Sequence, residues 1–158
     1  MPECVEPRLN GVARVVGIAQ TVDDYTLVFD VWSDGNDCAA SDMVRAPRGK
    51  VWGVLYDIPD DFVRGRREDG KRTLEQIEWK RYCEAVVRVR LPNGKEHDAV
   101  TFVVRDEFRQ QGLKTNAEYV SRIVQGLREQ GVSEHYIREV KEIAASNNPV
   151  IREALQNL

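Results

Sequence analysis

The chemistry-bearing residues that stand out in the sequence cluster around Glu78, which sits in Leu74-Glu75-Gln76-Ile77-Glu78-Trp79-Lys80-Arg81-Tyr82. This carboxylate follows a short helical turn and has two aromatics, Trp79 and Tyr82, close by in sequence. Aromatic walls strip water from an acid, and desolvation raises a carboxyl pKa toward the range useful for proton transfer. Glu75 is the nearest rival, but it falls inside the expected helix, where a surface role suits it better. The plain alternative for Glu78 is a solvated acid at a helix end. The remaining reactive types are sparse. Cys4, Cys38 and Cys83 show no Cys-x-x-Cys or Cys/His spacing, and with only His97 and His135 no zinc site or other metal site is expected. Both histidines read as surface residues, and the three thiols as reduced cysteines of a cytoplasmic protein.

These residues need a scaffold, and composition bounds it. The chain has 158 residues, 42% hydrophobic and 31% charged, enough for a single domain with a real core. Its net charge of -3 gives no electrostatic footprint for nucleic acid. No run approaches the roughly 18 apolar residues of a membrane span, and Met1-Pro2-Glu3-Cys4 lacks a signal-peptide core.

The strongest strand signal is Val51-Trp52-Gly53-Val54-Leu55-Tyr56-Asp57-Ile58-Pro59, an apolar run read as a strand buried on both faces. Gly53 within it suggests a bulge or a close approach to the backbone. Residues 12–19 and 25–32 are rich in β-formers and read as strands. The Ser33–Asp37 cluster reads as a turn, and Cys38 to Lys50 as a loop. Asp60–Val63 can start a short helix after Pro59. The charged stretch Arg64–Arg72 reads as a solvated loop rather than a phosphate patch, since Glu68 and Asp69 interrupt its cations. Thr73 to Gln76 fits a capping box.

Tyr82–Leu91 alternates, Asn93-Gly94 supplies a tight turn, and His97–Arg105 returns; these predict a hairpin. Thr115 to Glu118 fits a second capping box ahead of Tyr119, Val120, Ile123, Val124 and Leu127 at helical spacing, with Gly131 as the stop. Ser133 can cap a further helix carrying Ile137, Val140 and Ile143, which ends near Asn147-Asn148-Pro149, and Val150–Leu158 can add a last one. Strands first and helices last predict an α+β fold, a largely antiparallel mixed sheet or small barrel with C-terminal helices.

The strand at Val51–Tyr56, the acidic segment around Glu78 and the strand opening at Tyr82 together resemble the γ-glutamylcyclotransferase-like family, with its "VWGVLY"-type strand. The resemblance runs from about Arg8 to the third long helix. It implies that Glu78 is a general acid/base. The α-amine of a γ-glutamyl group attacks its own γ-carbonyl, and 5-oxoproline leaves with a free amine or amino acid. An ammonium is no nucleophile and an amide nitrogen leaves badly unless protonated, so one carboxyl near neutral pKa can serve both steps. Ring closure is intramolecular, which makes positioning a large part of the acceleration. The resemblance also places Tyr82 and Tyr119 along the substrate pocket. For each, a packed core tyrosine is the alternative. It implies no organic cofactor and no metal, and a small γ-glutamyl substrate as partner.

Two departures stand out. Trp79 occupies a position where the family has Gly, so an indole narrows, redirects or caps the pocket. The family's opening "YGSN" strand and loop, whose backbone amides bind the glutamyl end, has no match near Met1–Pro7. Losing one oxyanion donor typically costs about 10²–10³ in rate, and losing a strand exposes sheet edges. Three explanations stand: residues upstream of Met1, a partner strand or homodimer completing the sheet, or a non-catalytic binding or assembly module on the same fold.

Overall fold

The computed structural model describes residues 13–63 and 81–158. The expectations for residues 64–80, the charged loop, the capping box at Thr73 and the pair Glu78 and Trp79, lie outside the described residues. Six strands come first: β1 (Arg14–Thr21), β2 (Tyr25–Ser33), β3 (Cys38–Arg45), β4 (Trp52–Asp57), β5 (Tyr82–Arg90) and β6 (Glu96–Val104). A short helix, α1 (Asp60–Val63), follows β4; α2 (Ala117–Glu129), α3 (Glu134–Asn147) and α4 (Arg152–Gln156) close the chain. The architecture is α+β with antiparallel sheets and C-terminal helices, as the sequence predicts.

The strands form a four-stranded sheet in the order β4-β1-β5-β6 and a two-stranded sheet of β2 and β3. All their pairings are antiparallel. The β5–β6 hairpin forms as Asn93-Gly94 predicts, pairing Tyr82 with Val104 and Arg90 with Glu96. Gly94 adopts φ +87°, the left-handed conformation that suits glycine in such a turn. A small apolar cluster of Ala19, Val87, Val89 and Leu91, with Tyr25, Met43 and Leu55 against it, joins the two sheets. The larger core lies between β2, β3 and the helices and contains Phe29, Val31, Val104, Val120, Ile137 and Val140.

Four expectations need correction. Cys38 to Arg45, read as loop, is strand β3, and it is the strand buried on both faces: Cys38 through Asp42 are all enclosed. The run at Val51–Pro59 instead makes β4, half-buried, at the edge of its sheet among the described residues. A continuous apolar run signals burial somewhere along both faces but does not distinguish an edge from a centre. Gly53 pairs regularly with Ala19 and has open space where a Cβ would stand, whereas the bulge lies on β1 between Val15 and Gly17. Finally, the cap of α2 is Asn116 rather than Thr115: its Oδ1 accepts the Tyr119 amide at 2.8 Å. Ser133 caps α3 as predicted, its side chain accepting from the Tyr136 amide.

Candidate functional site

Tyr82 opens β5, and Tyr119 lies in the first turn of α2. The fold brings them to one residue of β3. The Tyr119 hydroxyl accepts the Ser41 amide at 3.0 Å and lies 3.1 Å from the Ser41 hydroxyl. The Tyr82 hydroxyl donates to the Ser41 carbonyl at 3.3 Å. Two phenols thus bracket one residue at the centre of the fold. Tyr119 is 6% exposed and sets its ring edge-on to Phe29, with centroids 6.4 Å apart. Tyr82 is half-buried against the same core.

Backbone and side-chain bonds fix both tyrosines. Arg81 donates to the Trp32 carbonyl and to Asp34, and its own carbonyl accepts the Arg105 amide at 2.7 Å. The start of β5 is thereby tied to the ends of β2 and β6. On the other side, the segment before α2 is laced to its neighbours. Ala39 donates to the Lys114 carbonyl, Thr115 donates to Asn147 Oδ1, and the Asn148 amide group donates to the Thr115 carbonyl. Thr115 is therefore a buried structural residue. Cys38 is close by, and burial pushes its thiol up. A protonated, enclosed thiol is a poor nucleophile.

Immediately after Ser41 comes Asp42, whose side chain is fully enclosed. Its Oδ1 accepts the Met43 amide at 2.8 Å and the Val104 amide of β6 at 2.9 Å. Its Oδ2 accepts Arg109 Nε at 3.0 Å. Among the described residues no ladder joins β3 to β6, so this carboxylate is a link between the two sheets. Asp30 of β2 lies alongside. A register shift between Phe29 and Val31 frees it from regular pairing. Burial first, then the charge and hydrogen bond of Asp42, push the Asp30 carboxyl up to about 6, while Arg109 pulls the other way.

Ser41, Asp30, Asp42 and Arg109 were not expected from the sequence. Ser41 and Asp42 fall in the stretch read as loop, and Asp30 looks like an outward residue of an alternating strand. Of the sequence-predicted site residues, Tyr82 and Tyr119 come together, and Glu78 and Trp79 lie outside the described residues. His97 is exposed, and His135 is exposed beside Glu139. A cleft of about 260 Å³ at the start of α3 is lined by Arg48, Lys50, Trp52 and His135, and another of about 420 Å³ lies along α2; neither is lined by Tyr82 or Tyr119. Among the described residues no group of His, Cys, Asp or Glu is arranged to hold a metal, and no helix is long and apolar enough to cross a membrane.

The family model described as AIG2-like matches residues 50–140, more than half the chain, from the approach to β4 into α3. The chain belongs to the AIG2-like family. Solved structures agree on the fold. A γ-glutamyl cyclotransferase superposes with a TM-score of 0.73 at 16% identity, covering 96% of this chain and 91% of that one. An uncharacterized protein from Homo sapiens gives 0.72 at 18% identity, covering 87% and 78%. No curated protein matches the sequence. At these identities the likeness establishes a shared γ-glutamylcyclotransferase-like architecture for this AIG2-like chain.

Proposed function

We propose that this AIG2-like chain is a single γ-glutamylcyclotransferase-like domain that releases 5-oxoproline from a γ-glutamyl amine or γ-glutamyl amino acid. The carrying observation is the convergence of Tyr82 and Tyr119, from two distant elements, on Ser41. In this reading Glu78 takes the proton from the substrate α-amine. That nitrogen bonds to the γ-carbonyl carbon, the bond from this carbon to the departing nitrogen breaks, and Glu78 returns the proton to the leaving amine. Tyr82, Tyr119 and Trp79 line the site and hold the glutamyl chain curled for attack, the arrangement that makes an intramolecular closure fast. Neither metal nor organic cofactor takes part, and a cytoplasmic location fits the reduced thiols.

A specific observation favours a second reading. Tyr119 is almost fully enclosed, and its hydroxyl already bonds to Ser41, as a structural tyrosine's would. This suits a binding or assembly module, paired with a second copy or a partner strand. The two readings separate on one assay. Purified protein is incubated with a panel of γ-glutamyl amines and γ-glutamyl amino acids, and 5-oxoproline is quantified. Release by the wild type that disappears in Glu78→Gln supports the enzyme. Absence of release from every substrate, also in a form extended upstream of Met1, supports the module.

A further inference from the structure

The Asp30–Asp42 pair is the most unusual chemical feature of the described residues. Asp42 has three donors aimed at it and is the acceptor of the pair. Asp30 differs. Its Oδ1 is enclosed and has no hydrogen-bond partner among the described residues, and its Oδ2 is 3.9 Å from Arg109 Nε, beyond a hydrogen bond. An enclosed carboxylate oxygen without a donor is costly, whereas a protonated carboxyl turns that acceptor into a donor with a neighbouring carboxylate to receive it. We propose that Asp30 and Asp42 share one proton and act together as a positioning pair for Ser41 and the two tyrosines bonded to it. The proposal rests on reading Tyr82 and Tyr119 as site residues.

The geometry carries the coupling. Asp42 is the next residue after Ser41, so its carboxylate and the two phenols fix adjoining peptide units of β3. The charged groups that face Asp30 are few among the described residues. Asp42 faces it from β3, and Arg109 faces it from the segment after β6, itself paired to the exposed Asp106. Just beyond the end of β2, Asp34 is held by Arg81. The Asp30 carbonyl accepts the Gln110 amide at 2.8 Å, which keeps the Arg109 segment against β2. Loss of the shared proton leaves two carboxylates and one guanidinium. Arg109 is then drawn toward Asp30, its bond to Asp42 weakens, and the restraint on Ser41 changes with it. The raised Asp30 carboxyl places this event near pH 6.

The test follows carboxyl and tyrosine-ring carbons by NMR on the full chain between pH 4.5 and 8. The Asp30 carboxyl should titrate near 6, and ring signals of Tyr82 and Tyr119 should move with the same midpoint. In Asp30→Asn, which cannot ionise but can still donate to Asp42, both tyrosines should hold their low-pH positions throughout. In Arg109→Gln, the midpoint should rise, because the guanidinium favours the ionised form. An Asp30 midpoint near the ordinary carboxyl range overturns the proposal. So do tyrosine signals that stay flat in the wild type, or that still titrate in Asp30→Asn. If Asp30→Asn does not fold, Arg109→Gln decides alone: a raised midpoint supports the pair and an unchanged one overturns it. None of these readouts uses turnover, so failure of the cyclotransferase reading shows separately, in 5-oxoproline release.

Discussion

Replacing Asp30 with Asn should reverse its effect on stability between acid and alkaline conditions. The folded carboxyl is raised from 3.8 to about 6 by burial and by Asp42. A carboxyl raised by folding contributes stability that is fully present below its unfolded value and is lost as pH rises through its folded one. The wild type therefore loses this contribution between about pH 4 and pH 6.5 and lacks it at pH 8. At about 1.4 kcal/mol per pH unit of displacement, the full loss is about 3 kcal/mol. The Asp30 side chain is 19% exposed, and solvent screening brings the expected figure to about 1–2 kcal/mol. Asn at this position keeps a donor for Asp42 and has no charge to lose. Urea unfolding at pH 4.5 and pH 8 measures the difference through the midpoint. Other carboxyls titrate in the opposite sense, among them Glu134 and Glu142, held low by Arg128 and Arg152. Comparing variant with wild type at each pH cancels them. Asp30→Asn should be near neutral or slightly destabilising at pH 4.5, and more stable than wild type by about 1–2 kcal/mol at pH 8. An equal effect at both pH values would refute the reasoning.

Two further substitutions test how the tyrosine pair is held. Tyr119→Phe removes the acceptor of the buried Ser41 amide and should cost about 1–3 kcal/mol in urea unfolding with little change in slope. Asn116→Ala removes the cap of α2 and should cost about 1 kcal/mol, read as a lowered Tm, while Thr115→Ser, which leaves the cap in place, should cost less.

Much of the fold is legible in the sequence because local signals and burial agree there. Asn93-Gly94 between two alternating runs specifies the β5–β6 hairpin on its own, and Ser133 marks the start of α3. Strand β3 escaped for a physical reason. Cys38-Ala39-Ala40-Ser41-Asp42 lacks the large β-formers that signal a strand, because small side chains fit where helices and two tyrosines close in from both sides. Its burial is a tertiary fact. The same applies to Asp30 and Asp42, which become neighbours only through cross-strand pairing and a register shift. Tyr82 and Tyr119 were readable singly, as a strand opening and a helical position. Their meeting point, Ser41, lies in a stretch whose local sequence signals read as a loop.

The claim that one carboxylate moves the proton during lactam formation is tested most directly by single-turnover release of 5-oxoproline from wild type, Glu78→Gln and Glu75→Gln. We predict release by the wild type, loss of about 10²-fold or more in Glu78→Gln, in line with removal of a general acid/base, and near-wild-type release in Glu75→Gln. Undiminished release in Glu78→Gln, or loss confined to Glu75→Gln, would contradict it.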